Sequence, residues 1–171
     1  MTLVELMLAM LVLVVAIGAT MGAVGSFTRL EESNRETSAA HFAARRALER
    51  MRDLSFEDVF AAFNEDPSDD PAFAGAAGPG FAVAGLRPQA GDADGLAGRI
   101  LFPVPPAGPL SLVENLDAPG FGLPLDLNGD GLLDGDDRSG DYTVLPVRIR
   151  VEWRGSSGNR FIELQTLLRR D

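Results

Sequence analysis

The chain opens on an apolar run with a single acid near its start. Residues 6–27 carry no charge and are mostly Leu, Val, Met and Ala, and Glu5 is the only charged side chain before Arg29. At 1.5 Å per residue, a helix over this run matches a hydrocarbon core of roughly 30 Å. The run is longer than the apolar region of a secretory signal. A domain of this size could not enclose it on all sides as a core helix. Residues 1–27 therefore read as a membrane-inserted helix.

Helical character continues past the charge-free run. Residues 28–63 contain neither Pro nor Gly, and Ala44, Leu48, Met51 and Ser55 form an i, i+4, i+7, i+11 line. Arg45, Arg46, Glu49, Arg50 and Arg52 lie off that line. The expectation is one helix of about 50 residues or more, lipophilic in its first half and amphipathic over residues 28–63. Such a helix would be a stalk that inserts below and carries a head above.

The head begins with an abrupt change of composition at residue 64. Ten of the eleven prolines, with ten glycines, fall in residues 64–125, a density that breaks helices and long strands. Two short apolar runs, FAVAGL at 81–86 and GRILFPV at 98–104, are the strand candidates there. Farther on, Val147, Ile149, Val151 and Trp153 alternate with Arg148, Arg150, Glu152 and Arg154, the period of a half-buried strand. After the turn Gly155-Ser156-Ser157-Gly158, Ile162, Leu164, Thr166 and Leu168 share one face. This predicts a β-hairpin over residues 142–168 whose apolar face closes on the upper stalk, with its arginines either solvated or meeting neighbouring chains. The fold class is α+β: a long N-terminal helix packed against a small antiparallel sheet, with a head over residues 64–171.

Composition narrows the chemistry. The chain has no cysteine, which excludes disulfides, zinc–thiolate sites and thiol catalysis, and its formal charge of −10 argues against nucleic-acid binding. All fifteen basic residues are arginine. The acidity is concentrated in residues 64–141, where fourteen acids face three arginines. His41, the one histidine, lies among small residues with no nucleophile to pair with, so no catalytic role is expected.

Within the acidic middle, DLNGDGLLDGDD at residues 126–137 has a defined spacing. Asp126, Asn128, Asp130, Asp134 and Asp137 place oxygens at loop positions 1, 3, 5, 9 and 12. Gly131 at position 6 permits a sharp turn, and the Leu132 carbonyl is available at position 7. This is the EF-hand ligand order, and it predicts Ca²⁺ at an affinity suited to extracellular concentrations of roughly 10⁻⁴–10⁻³ M. Without a cation the carboxylates are expected to repel one another. Because it ends in Asp, the loop most resembles the calcium loops of dockerin repeats. Those occur as tandem pairs with helices, whereas this one leads into a strand through Ser139-Gly140-Asp141. A structural ion is therefore implied, and cohesin binding is not.

The N-terminus carries a second resemblance. Thr2-Leu3-Val4-Glu5-Leu6 before an uninterrupted apolar run resembles the mature N-terminus of type IV pilins and type II secretion pseudopilins. The segment AAHFAARRALERMRDLSFEDV is similar to that of minor pilins and minor pseudopilins. The resemblance implies that a short basic leader is removed by a prepilin peptidase, which also methylates the new first residue. Met1 would be that residue, in place of the more usual Phe, and Glu5 the assembly glutamate.

An acid inside the span costs roughly 2.5–3.5 kcal/mol at the bilayer centre and less near the interface, and it needs a partner. The resemblance supplies one in the amine of residue 1 on a neighbouring subunit. It further implies a non-enzymatic filament subunit. The subunit would sit in the bacterial inner membrane with its head outside the cytoplasm, and then join other pilin or pseudopilin subunits in a periplasmic or extracellular filament. The alternative is a membrane-anchored, calcium-dependent binding module that does not polymerise.

Overall fold

A computed structural model describes residues 2–72, 78–156 and 158–170. Helix α1 (Leu3–Arg52) is followed by a 3₁₀ turn (Phe56–Asp58) and a short helix α2 (Val59–Phe63). Four strands follow: β1 (Gly80–Phe81), β2 (Gly98–Leu101), β3 (Val144–Gly155) and β4 (Gly158–Arg169). They form one antiparallel sheet in the order β1-β2-β3-β4. This is the expected α+β arrangement of a long N-terminal helix on a small antiparallel sheet.

Helix α1 has two environments along one continuous backbone. Residues 2–32 are exposed throughout. From Ser33 onward one side begins to close, and Ala40, Ala44, Ala47 and Met51 are buried against the sheet. Small alanines at helical spacing let the helix approach the sheet closely, and Leu48 packs at the margin of this stripe.

The helix ends at Arg52, so its expected continuation to residue 63 is corrected. Extending the buried stripe beyond Met51 would place Ser55, Asp58 and Ala62 on the sheet and turn Phe56, Val59, Phe60 and Phe63 away from it. Instead Asp53 closes the helix through its N–H to Glu49 O at 3.0 Å, and Ser55 turns to an extended ψ of 130°. The chain then re-enters as α2, which buries Val59, Phe60, Ala62 and Phe63. Tyr142 clamps this turn: its hydroxyl donates to Phe56 O at 2.6 Å and accepts from Phe60 N–H at 3.3 Å.

The hairpin follows its pattern. Val147, Ile149, Val151 and Trp153 are buried, Leu168 is buried, and Ile162, Leu164 and Thr166 are half-buried on the same face. Gly155 pairs with Gly158, and Ser157 of the expected turn lies outside the described residues. Strand β2 covers only residues 148–151 of β3, so Pro146 sits beyond it.

Two arginines of the other face are engaged within the chain, and Arg154 is exposed. Arg148 stacks 4.2 Å from the Phe121 ring, and Arg150 pairs with Glu152 and Glu163. The two apolar runs of the Pro/Gly-rich region yield less strand than expected. The first pairs only at Gly80–Phe81, because Leu86 N–H turns back to Val83 O at 3.2 Å. The second stops at Leu101, short of Pro103, which has no N–H to donate.

Candidate functional site

Two parts of the molecule carry candidate chemistry. The first is the N-terminal half of α1, where Met1 lies outside the described residues. Thr2 caps the helix: its Oγ1 accepts from Glu5 N–H at 3.4 Å, and the Glu5 carboxylate accepts from Thr2 N–H at 3.4 Å. This reciprocal capping box gives Glu5 a local role in satisfying an end donor of the helix. It also places the acid at the positive end of the helix dipole. Beyond it α1 is apolar and bare, and it is long and apolar enough to cross a membrane.

The second part is the acidic loop, which is built on a short spine. The segment around residues 111–115 runs beneath the loop: Arg138 N–H donates to Leu112 O at 2.8 Å and Asn115 N–H to Asp134 O at 3.1 Å. On the other side, Thr143 and Val144 N–H both donate to Leu127 O, at 2.7 and 2.9 Å, which ties the loop to the start of β3. Leu112 and Leu127 are fully buried and anchor both segments in the core.

From this spine Glu114 projects into the loop. Its side chain is 0% exposed, and Oε1 accepts from Leu127 N–H at 2.7 Å and Asn128 N–H at 3.2 Å. Oε2 is held more loosely, by Asp134 N–H at 3.5 Å. Glu114, Asp126 and Asp130 each bring a carboxylate oxygen within 4.8 Å of the others, an arrangement that could hold a metal ion. All three donors are hard oxygens, and one is on a fully buried side chain whose second oxygen has only a long contact. The residues thus fit a hard divalent cation better than a soft one.

The predicted ligands divide around this triad. Asp126 accepts from Gly129 N–H at 2.6 Å and Gly131 N–H at 2.8 Å, a wrap made possible by φ of +85° and +82° at the two glycines. Asp130 accepts from Leu132 N–H at 2.8 Å and from the Asn128 amide at 3.0 Å. The Asn128 amide and the Leu132 N–H hold the Asp130 carboxyl below the usual carboxylate range, with the Arg138 charge adding to them. The Leu132 side chain points to solvent.

Asp134 turns instead to Arg138 Nη2 at 2.8 Å. Asp137, at position 12, accepts from Leu112 N–H at 3.2 Å and Ser139 N–H at 3.0 Å. The expected repulsion is offset in part: Arg138 sits among Glu114, Asp130, Asp134 and Asp141. Burial pulls its guanidinium down, but Asp134, Glu114, Asp141 and Asp130 together hold it above its ordinary value.

Reading by spacing missed Glu114 because it lies outside the twelve-residue window, and only the folding of the 111–115 spine beneath the loop brings it there. Its one local signal is an acid directly after the apolar pair Leu112-Val113. Arg138, one of three arginines in the acidic middle and next to the loop, was legible as its nearest cation. No family model, characterised protein or solved structure matches this chain.

Proposed function

We propose that the protein is a structural subunit of a type IV pilus-like or type II secretion filament, of the minor pilin or pseudopilin kind, with a head stabilised by Ca²⁺. The observation that carries this reading is the division of α1. One half is sealed to the head by an alanine stripe, and the other projects bare and apolar with Glu5 as its only charge. A helix built this way suits storage in a bilayer and transfer to a core of parallel helices, where the same apolar surface is covered by neighbours. In this reading Glu5 docks on the N-terminal amine of an adjacent subunit after a prepilin peptidase has processed and methylated residue 1. The subunit begins in the inner membrane with its head outside the cytoplasm, and no catalytic role is assigned. The donor set at Glu114, Asp126 and Asp130, with the EF-hand spacing around it, supports calcium as the ion.

The capping box makes the test sharp, because Gln at the third helical position caps as Glu does but carries no charge. Glu5→Gln should insert in the membrane normally and fail to enter filaments. Normal incorporation would reduce Glu5 to a helix cap and remove the docking role. Mass spectrometry of the native N-terminal peptide is the companion measurement. A methylated residue 1 supports filament assembly, and an unprocessed N-terminus would shift the reading to an anchored calcium module.

A further inference from the structure

The acidic loop carries a cation of its own. Arg138 directly follows the loop, and its backbone N–H is fastened to Leu112 O at 2.8 Å. Its side chain lies back across the loop and is only 13% exposed. Nη2 lies 2.8 Å from Asp134 and 3.6 Å from Asp130, Nη1 lies 3.6 Å from Asp141, and Nε lies 3.8 Å from Glu114. A guanidinium has five N–H donors, but only the contact to Asp134 is a hydrogen bond among these pairs. Nε is buried without a hydrogen-bond partner among the described residues. The group facing it, Glu114 Oε2, is itself held only by the long contact from Asp134 N–H. This is not the two-pronged fork that arginine makes in a finished structural ion pair. It is one positive charge shared among four carboxylates, with buried hydrogen-bonding capacity left unused on both sides.

Two of those carboxylates, Glu114 and Asp130, also belong to the converging triad. We infer that Arg138 is the resident counter-ion of the loop, and that a divalent cation binds by displacing it from Glu114 and Asp130. The inference rests on the calcium reading above and adds to it an explanation of how the loop folds before calcium arrives. A calcium ion collects six to eight oxygens at 2.3–2.6 Å. An arginine kept within 4 Å of the same carboxylates would leave like charges side by side in a poorly screened setting. The outer contacts offer the arginine somewhere to go, since Asp134 and Asp141 are solvent-accessible partners that lie outside the triad. Arg138 therefore keeps the metal-free head ordered and raises the calcium concentration at which the ion takes over.

The test uses the full chain in detergent micelles, with calcium alone as the probe. Arg138→Met keeps the stem of the side chain and removes its charge. It should lower the melting temperature in chelator and tighten calcium binding at least tenfold by calorimetry. Arg138→Lys, which keeps the charge but lacks the planar head, should fall between the methionine variant and the wild type on both measures. Should the methionine variant fail to fold in chelator, calcium should fold it at a lower concentration than the one at which the wild type responds. Unchanged or weaker binding by a folded Arg138→Met would overturn the inference and leave the calcium site standing. If neither wild type nor variant binds calcium up to roughly ten times the ~10⁻³ M typical of weak extracellular sites, the calcium reading itself falls, and the displacement with it.

Discussion

Glu36 and Glu114 both face an arginine, yet they do opposite things. Glu36, on α1, accepts from Trp153 Nε1 at 3.0 Å at Oε2, and Arg160 lies 3.8 Å from the same oxygen and over the indole face at 5.5 Å. Gly155 lets the hairpin end approach so closely that a Cβ there would stand 2.8 Å from the Glu36 carboxylate. One acid, one arginine and one indole thus lock stalk to hairpin. Glu114 faces an arginine that it shares with Asp130, Asp134 and Asp141. A cluster of one acid and one arginine, with its indole donor used, is a mechanical joint. A cluster with surplus carboxylates and unused donors is a place where a further cation has something to gain.

The largest test of the contrast is to break the joint. Trp153 is buried at the end of the core stripe. Trp153→Ala should cost the head about 3–5 kcal/mol in thermal or denaturant unfolding. A loss below about 1 kcal/mol would mean that the alanine stripe holds the helix without this joint.

Glu114→Ala probes the other side. It strips the acceptor from Leu127 and Asn128 N–H and unbalances Arg138, with an expected cost of about 3 kcal/mol. It should also abolish any rise of melting temperature with calcium. An undiminished calcium response would remove Glu114 from the ligand set.

Tyr142, which follows the loop and clamps the end of the stalk, gives a pH test. Burial pushes its hydroxyl from 10.0 up to about 12, against the opposing help of the Phe60 N–H. The native state therefore keeps a proton that the unfolded chain releases from about pH 10 upward. Stability should be intact below pH 10 and fall by about 2–3 kcal/mol as pH rises toward 12. Tyr142→Phe should flatten that part of the profile.

The smallest expected effect is that of Glu36→Gln. The amide oxygen still accepts from the indole, and only the partly exposed pairing with Arg160 is lost. The cost should be about 0.5–1 kcal/mol. A much larger loss would show that the joint depends on charge rather than on the indole hydrogen bond.

Periodicity was a reliable guide wherever one rule governs a whole element. The alternation from Val147 to Trp153 placed β3 and its buried face, and the charge-free run of residues 6–27 placed a helix that needs no partner to satisfy its backbone. It failed at Asp53, where a good helix-forming stretch turns because Val59, Phe60 and Phe63 are better buried in the core than carried past it.

By itself the amino-acid sequence determined the long helix, the hairpin and its faces, the α+β class, and the oxygen-rich loop with its glycine turn, since each depends on residues close together along the chain. The end of the stalk at Arg52, the Glu36–Trp153–Arg160 joint, and the entry of Glu114 beneath the acidic loop were decided only by tertiary structure. Those features depend on which distant surfaces are buried together, and on where a buried charge then finds its partner.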